Sequence, residues 1–289
     1  MRSHGALSLG PLHDMPERQE TDFVCIKDSN VLIYLIHGIT GAPVEMSSLS
    51  RKLSRENGWD VNATTLPGHG TNLPELARTT EQDWRAHVQR QLSFIRDRYE
   101  YVFAVGLGAG ALLALEASTV VRVDGLGALS PTFIHNGWDT PWAQAPGRKS
   151  YHARGMVRGR LNDWCARRKG VNSATPPPPS AATKASPAIS LGTLTAIDRL
   201  IMRVLPRLHD VTTPTIILQS RKDDMTNPRN SSIVYNAISS QDRLLIVLDD
   251  CFHVVSVKNQ QEAVAGHMAP FFRLHMKAEF SPQQMRVSS

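Results

Sequence analysis

A chain of 289 residues is long enough for one large α/β domain with an insertion, or for two small domains. Its apolar fraction of 41% and charged fraction of 20% are typical of a soluble globular protein. No segment approaches the roughly 18 apolar residues of a membrane span, and the first twenty residues contain no apolar run of signal-peptide length. We therefore expect no membrane span, no export by a signal and a cytoplasmic location.

The formal net charge of +6 is concentrated between Arg148 and Lys169, where eight basic residues accompany one acid. A solvated face explains this basic cluster, and a site for an anionic substrate group, carrier or acidic membrane surface is the alternative. No aromatic interleaving or known motif indicates nucleic-acid binding. The three cysteines, Cys25, Cys165 and Cys251, have no metal-type spacing, and their odd number argues against a disulfide framework.

Alternating strands and helices over residues 22–130 predict a mostly parallel sheet with helices on both faces. The predicted strands in this part are 31–36, 59–65, 101–105 and 123–129. The first is apolar throughout, as expected for a strand that is buried on both faces. Pro43 suits the first turn of a helix. Thr80 and Asp83 form a capping box that opens a helix to about Arg98.

The alternation breaks between residues 133 and 195, which contain the basic cluster and four consecutive prolines that no helix or central strand accommodates. Strands resume at 214–220 and 243–248, and a final helix is predicted at about 259–276. The expected organisation is an N-terminal extension (1–21), a core (22–132 and 196–277), a cap insertion (133–195) and a tail (278–289).

The turn at residues 106–110, with the sequence G-L-G-A-G, joins an apolar strand to an alanine- and leucine-rich helix. This is the layout of the G-x-S-x-G elbow, in which a sharp turn presents a catalytic serine. The central residue here is Gly108, which has no side chain. A dinucleotide-binding loop is the alternative, but that loop normally follows the first strand and has an acidic residue about 20 positions further on. This turn follows a later strand, and no acidic residue lies at a strand end about 20 positions further on.

An acid and a base follow the elbow in chain order, as serine hydrolysis requires. Asp223 comes three residues after one late predicted strand, and His253 comes five residues after the next. Asp224 competes with Asp223 for the role of the acid, and a structural role is the alternative for His253. Cys251 lies on the predicted histidine loop, where it is poorly placed to replace a nucleophile at the elbow, so a packed thiol is expected.

Backbone N–H groups would stabilise the oxyanion of such a reaction. The predicted donors are Ile39, which follows the first strand, and Ala109, which follows the elbow centre. The residues predicted to line the substrate pocket are His37, Gly38, Leu107 and Ser130. His37 and His69 are also expected to steady their turns by hydrogen bonds, and no cluster has the spacing of a metal site. We expect neither a cofactor nor a metal.

Four motifs, in this order, resemble those of the small bacterial carboxylesterases and monoacylglycerol lipases of the α/β-hydrolase superfamily. They are H-G-x-T-G at His37–Gly41, P-G-H-G at Pro67–Gly70, Q-x-R-x-D-x-x-x-N-P at Gln219–Pro228, and a C-x-H segment that ends at His253. The resemblance covers about residues 25–275. It implies an α/β-hydrolase fold with a cap, a carboxylic ester substrate, and the acid and base roles for Asp223 and His253. The chain departs from the family pattern at Gly108, in the polyproline loop and in the basic cluster.

Three interpretations of Gly108 remain open at this point. In the first, the chain is an ester hydrolase whose serine has been replaced, and the retained Asp223 and His253 favour it. In the second, His253 oriented by Asp223 acts as a general base on substrate or water. In the third, the pocket binds an acyl or ester ligand without turnover. The expected partner is a small acyl ester or acyl ligand, with or without an anionic group; the sequence does not fix the oligomeric state.

Overall fold

The computed structural model describes residues 12, 14–39, 41–70, 73–134, 190–223, 225–249, 252–256 and 260–276. Within these residues the strands are β1 (Phe23–Cys25), β2 (Val31–Ile36), β3 (Asp60–Thr64), β4 (Tyr101–Leu107), β5 (Gly125–Leu129), β6 (Thr215–Ser220) and β7 (Arg243–Leu248). They form one sheet in the order β1-β3-β2-β4-β5-β6-β7. Only the β1–β3 pair is antiparallel among the pairings of this sheet. The predicted mostly parallel sheet is confirmed.

Helices connect these strands and cover both faces of the sheet. They are α1 (Ser47–Asn57), α2 (Leu73–Arg78), α3 (Glu81–Arg96), α4 (Ala109–Ala117), α5 (Leu191–Val204), α6 (Arg229–Ala237) and α7 (Gln260–Leu274), with 3-10 helices at Pro43–Met46 and Leu205–Asp210. Two separate clusters of buried apolar side chains lie on the two faces of the sheet. Helices α1, α3, α4, α6 and α7 contact strands of the sheet, and α5 packs on α3 and α4. Burial of apolar side chains between such layers is the dominant stabilising contribution in a layered fold.

The structure confirms most predicted elements and shifts some of their ends. The capping box at Thr80 is present, because its hydroxyl accepts from the Asp83 N–H and the Asp83 carboxylate accepts from the Thr80 N–H. β4 continues two residues past the predicted end at 105, since Gly106 still pairs with β2 and Leu107 with β5. Pro43 opens a 3-10 helix rather than an α-helix.

Helix α5 begins inside the segment that was expected to be cap. Ser190 caps it by accepting a hydrogen bond from the Thr193 N–H at 3.0 Å, so regular structure resumes before residue 195. The basic cluster, the polyproline loop and the tail lie outside the described residues. The described part of the N-terminal extension packs on the core: Leu12 and Met15 are buried, and the Gln91 side chain donates to the Pro16 carbonyl at 2.6 Å.

The order of the strands places the candidate site. β2 lies between β3 and β4, so the chain leaves β2 toward one edge of the sheet and later returns to its other side. Ligands of open parallel sheets bind at the carboxyl ends of the strands where the order reverses in this way. The turn after β2, which contains Gly38, and the elbow after β4, which contains Gly108, are therefore neighbours at the expected place.

Close packing of α4 requires the two outer glycines of the elbow. A Cβ on Gly106 would lie 2.1 Å from the Gly110 carbonyl oxygen, and a Cβ on Gly110 would lie 2.4 Å from the Ile36 carbonyl oxygen. Both contacts are with backbone, so a side chain at either position would push α4 away from β2 and β4. The two glycines thus hold the start of α4 directly beside the carboxyl ends of the central strands.

Candidate active site

Gly108 forms the predicted sharp turn between β4 and α4. Its backbone has φ 61° and ψ −117°, a conformation that residues with side chains rarely adopt. Its N–H donates to the Leu129 carbonyl at 2.9 Å, which fixes the turn to the end of β5. The elbow is therefore formed although its central residue is glycine.

Asp223 and His253 form a hydrogen-bonded pair, as their sequence positions predict. Their Oδ2 and Nδ1 atoms are 2.9 Å apart, and both residues are buried. Because a carboxylate only accepts, the Nδ1–H donates to it, and the lone pair of the imidazole is then on Nε2. Asp224 and Cys251, the alternatives for the acid and for the nucleophile, lie outside the described residues.

Four further hydrogen bonds hold the Asp223 carboxylate. Its Oδ1 accepts from the N–H groups of Met225 at 2.9 Å and Thr226 at 2.7 Å. Its Oδ2 accepts from the Thr226 hydroxyl at 2.9 Å and from the Gln219 amide at 3.0 Å. Burial alone would raise the pKa of this carboxyl, but His253 and the backbone donors outweigh burial and hold the pKa below its ordinary value. The acid is therefore ionised and fixed in orientation.

The imidazole of His253 faces the elbow. A Cβ placed on Gly108 would lie 3.1 Å from His253 Nε2 and 3.7 Å from Cε1. The same point lies 3.3 Å from the hydroxyl oxygen of Thr132. His253, Asp223 and the central position of the elbow therefore have the relative arrangement of a serine-hydrolase triad. Thr132, which lies three residues after the end of β5, was not identified from the sequence.

The two predicted oxyanion donors lie in the turn after β2 and at the start of α4. Ala109 is the first residue of α4, so its N–H has no acceptor within the helix and lies at the positive end of the helix dipole. Ile39 follows β2 in the turn that contains Gly38, where a Cβ would lie 3.6 Å from the Leu107 carbonyl oxygen. This contact places the two turns side by side.

Two histidines are built into the turns around the site. The Nδ1–H of His37 donates to the Gly38 carbonyl at 2.8 Å, and its Nε2 accepts from the Leu66 N–H at 3.0 Å. Burial lowers the pKa of His37 to about 3, so the ring is neutral, as this pattern requires. His69 Nε2 lies 2.7 Å from the Ile39 carbonyl oxygen and joins the P-G-H-G turn to the turn after β2.

The other two residues predicted for the pocket, Leu107 and Ser130, differ in the polarity of their side chains. Leu107 is buried, and its side chain belongs to one of the two apolar clusters. Ser130 has φ 42°, in the left-handed region, and its side chain is fully buried. Its hydroxyl has no hydrogen-bond partner among the described residues. Strained backbone together with an unsatisfied buried hydroxyl, directly beside Gly108, is typical of a functional site.

One hydrogen bond joins the loop that contains His253 to the 3-10 helix at Pro43–Met46. The Ser256 hydroxyl donates to the backbone carbonyl of Glu45 at 2.8 Å. The Glu45 side chain packs directly against Gly41, because a Cβ on that glycine would overlap its carboxyl group. The positions of His253 and of the turn after β2 are therefore coupled through the first 3-10 helix.

Two features are absent from the residue ranges that the structure describes. No three His, Cys, Asp or Glu side chains in them cluster closely enough to hold a metal ion. No helix in them is both long and apolar enough to cross a membrane.

A parallel sheet with an elbow, an acid and a histidine at the carboxyl ends of its strands defines an α/β hydrolase. Residues 27–259 match the family model described as serine aminopeptidase, S33, and the chain belongs to this family. It is 25% identical over 239 residues to the carboxylesterase of Bacillus subtilis (strain 168), covering 82% of this chain and 90% of that protein. It is 26% identical over 243 residues to the thermostable monoacylglycerol lipase of Bacillus sp. (strain H-257), covering 84% and 90%.

Solved structures show the same fold. One is described as LipS and LipT, two metagenome-derived lipolytic enzymes; it has a TM-score of 0.68 and 24% identity, covering 88% of this chain and 97% of that chain. The crystal structure of the Paleococcus ferrophilus monoacylglycerol lipase has a TM-score of 0.64 and 15% identity, covering 88% and 98%. At 24% and 15% identity, the similarity to these two structures shows the fold alone.

Proposed function

We propose that this protein binds a carboxylic ester in the active site of an esterase that retains every part of the machinery except the nucleophile. The observation that carries this proposal is the position of His253, whose Nε2 lies 3.1 Å from the point where a Cβ on Gly108 would stand. The Asp223 carboxylate makes five hydrogen-bond contacts, and one of them holds the His253 imidazole toward the elbow. This is the orientation that a catalytic base at the elbow requires. The arrangement fits chemistry at an acyl carbon.

The serine mechanism is silent in this chain because Gly108 offers no hydroxyl to attack the ester. Removal of the serine from a comparable triad lowers turnover by about 10⁶-fold, or roughly 8 kcal/mol of activation free energy. Oxyanion stabilisation and binding alone leave about 10³–10⁴-fold over the uncatalysed reaction. No acyl-enzyme forms in this protein, and any turnover is slow.

The substrate class follows from the relatives, whose names are carboxylesterase and monoacylglycerol lipase. We take a small or medium acyl ester as the ligand. The positive charge of the basic cluster at residues 148–169 would favour an anionic group on that ligand. The cap insertion over residues 133–195 would set the acyl pocket, and we place the protein in the cytoplasm.

The test is hydrolysis of a p-nitrophenyl ester series of increasing acyl length by the protein and by Gly108→Ser. Gly108→Ala is the matched control, because it carries the same backbone strain without a hydroxyl. Turnover by Gly108→Ser with an initial burst of p-nitrophenol, and no burst in the control, is the expected result. A folded Gly108→Ser protein that hydrolyses none of these esters would contradict the proposal.

A further inference from the structure

Two polar atoms converge on the space beside Gly108. His253 Nε2 lies 3.1 Å and Thr132 Oγ1 lies 3.3 Å from the position of a Cβ on that residue. Both distances are within the range of a hydrogen bond, so one oxygen atom near this point contacts both groups. In a serine hydrolase the hydroxyl group occupies this region. Here glycine leaves it to a small molecule that brings its own oxygen.

We propose that Thr132 and His253 together hold a water molecule beside Gly108, and that this water attacks the bound ester directly. The proposal rests on the proposed function, since it requires that the site binds an ester. It assigns Thr132 as a positioning residue and gives the protein a slow hydrolase activity that needs no covalent intermediate.

The hydrogen-bond directions suit this role. His253 donates through Nδ1 to Asp223, so Nε2 accepts one hydrogen of the water. The Thr132 hydroxyl donates to the Ser130 carbonyl, with the two oxygens 3.4 Å apart, so its oxygen accepts the second hydrogen. A water with both hydrogens engaged directs a lone pair away from these partners. That lone pair is then available to the acyl carbon.

The backbone at the end of β5 explains how Thr132 reaches this position. Ser130 adopts the left-handed φ of 42°, which turns the chain sharply after the strand. Its N–H donates to the Leu218 carbonyl at 2.8 Å, which holds the turn to β6. Such strain in a residue other than glycine costs about 1–3 kcal/mol and persists only where its surroundings impose it. The strained turn places a threonine hydroxyl where a triad has no need of one.

The reaction balances without a further reagent. The water oxygen forms a bond to the acyl carbon while His253 Nε2 takes a proton from the water. The carbonyl oxygen becomes an oxyanion that the N–H groups of Ile39 and Ala109 stabilise. The C–O bond to the alcohol then breaks, and His253 returns the proton to the leaving alkoxide. The products are a carboxylic acid and an alcohol.

The experiment measures steady-state hydrolysis of p-nitrophenyl acetate and butyrate, corrected for the buffer reaction, by the unmodified protein and its variants. The expected unmodified rate has no burst and depends on His253. Thr132→Val is expected to lower kcat about tenfold, the effect of one lost hydrogen bond of ~1.4 kcal/mol, with KM unchanged. Thr132→Ser keeps the hydroxyl and retains kcat within about threefold.

Gly108→Ala provides a second, independent readout. Its Cβ would occupy the point that the water oxygen approaches, so the slow hydrolysis is expected to fall to the buffer rate, as in His253→Ala. Gly108→Ser measured in parallel separates the two proposals. If Gly108→Ser hydrolyses the esters and the unmodified protein shows no His253-dependent rate, the water proposal is overturned and the proposed function stands.

Two further outcomes would also overturn the water proposal. In one, Thr132→Val and Thr132→Ser lower kcat equally, which means that the hydroxyl is not the group that matters. In the other, Thr132→Val raises KM and leaves kcat unchanged, which assigns the residue to binding. If neither the unmodified protein nor a folded Gly108→Ser protein hydrolyses these esters, both the proposed function and the water proposal are overturned.

Discussion

Adding a side chain at Gly108 should cost stability by an amount that the elbow geometry sets. The φ of 61° with ψ of −117° is strained for any residue with a Cβ, which costs about 1–3 kcal/mol. The Cβ also requires His253 and Thr132 to give way by a few tenths of an ångström. Replacement of glycine stabilises a protein by about 0.4–1 kcal/mol through the unfolded chain, which offsets part of the cost. We expect Gly108→Ala and Gly108→Ser to lose about 1–2 kcal/mol each.

Urea unfolding followed by circular dichroism measures this loss, and two other glycines serve as controls. Gly266 lies in the exposed part of α7 with nothing near its Cβ position, so Gly266→Ala should gain up to about 1 kcal/mol. Gly58 has a φ of 69° but open space around it, so Gly58→Ala should show the backbone strain alone. A Gly108→Ala protein as stable as Gly266→Ala would refute the elbow geometry.

Three further predictions concern the surroundings of the site. Burial lowers the pKa of His37 to about 3, so the contribution of the neutral ring to the free energy of unfolding is complete above about pH 6.5. This contribution is lost as the pH falls toward 3, at up to ~1.4 kcal/mol per pH unit. His37→Gln should flatten the pH dependence of the unfolding free energy measured in urea. Because the pKa of Asp223 lies below its ordinary 3.8, its contribution is present above about pH 4 and is lost below it. Asp223→Asn should remove this loss of stability below about pH 4. The same substitution should lower the activity of Gly108→Ser by about 10⁴-fold. Gly110→Ala should destabilise by about 3 kcal/mol, because its Cβ meets the Ile36 carbonyl oxygen at 2.4 Å.

The sequence predicted those parts of the fold that local pattern determines. The apolar run of β2 and the capping box at Thr80 need only neighbouring residues to be recognised, and both are present. The pair of Asp223 and His253 was predictable because each follows a late strand, and parallel strands bring their carboxyl ends together. The order of these two residues along the chain was therefore enough to predict that they lie together.

Two features were not predicted from the sequence, for different reasons. The first turn of helix α5, which begins at Leu191, falls within the predicted cap of residues 133–195, because the composition of the preceding segment gave no sign of a helix start there. Thr132 was not recognised because its role depends on the left-handed backbone of Ser130, and no local pattern announces that conformation in a serine. The hydrogen bond from the Ser130 N–H to the Leu218 carbonyl, which holds this turn to β6, is distant in sequence.

The most direct measurement of the retained machinery is covalent labelling of Gly108→Ser by p-nitrophenyl phosphonates. These reagents phosphonylate a hydroxyl only when a base and an oxyanion site activate the reaction. Intact-protein mass spectrometry should show one adduct per chain at position 108, its formation depending on His253 and Asp223. No adduct on the folded protein, or an adduct that survives His253→Ala at the same rate, would contradict the claim that only the nucleophile is missing.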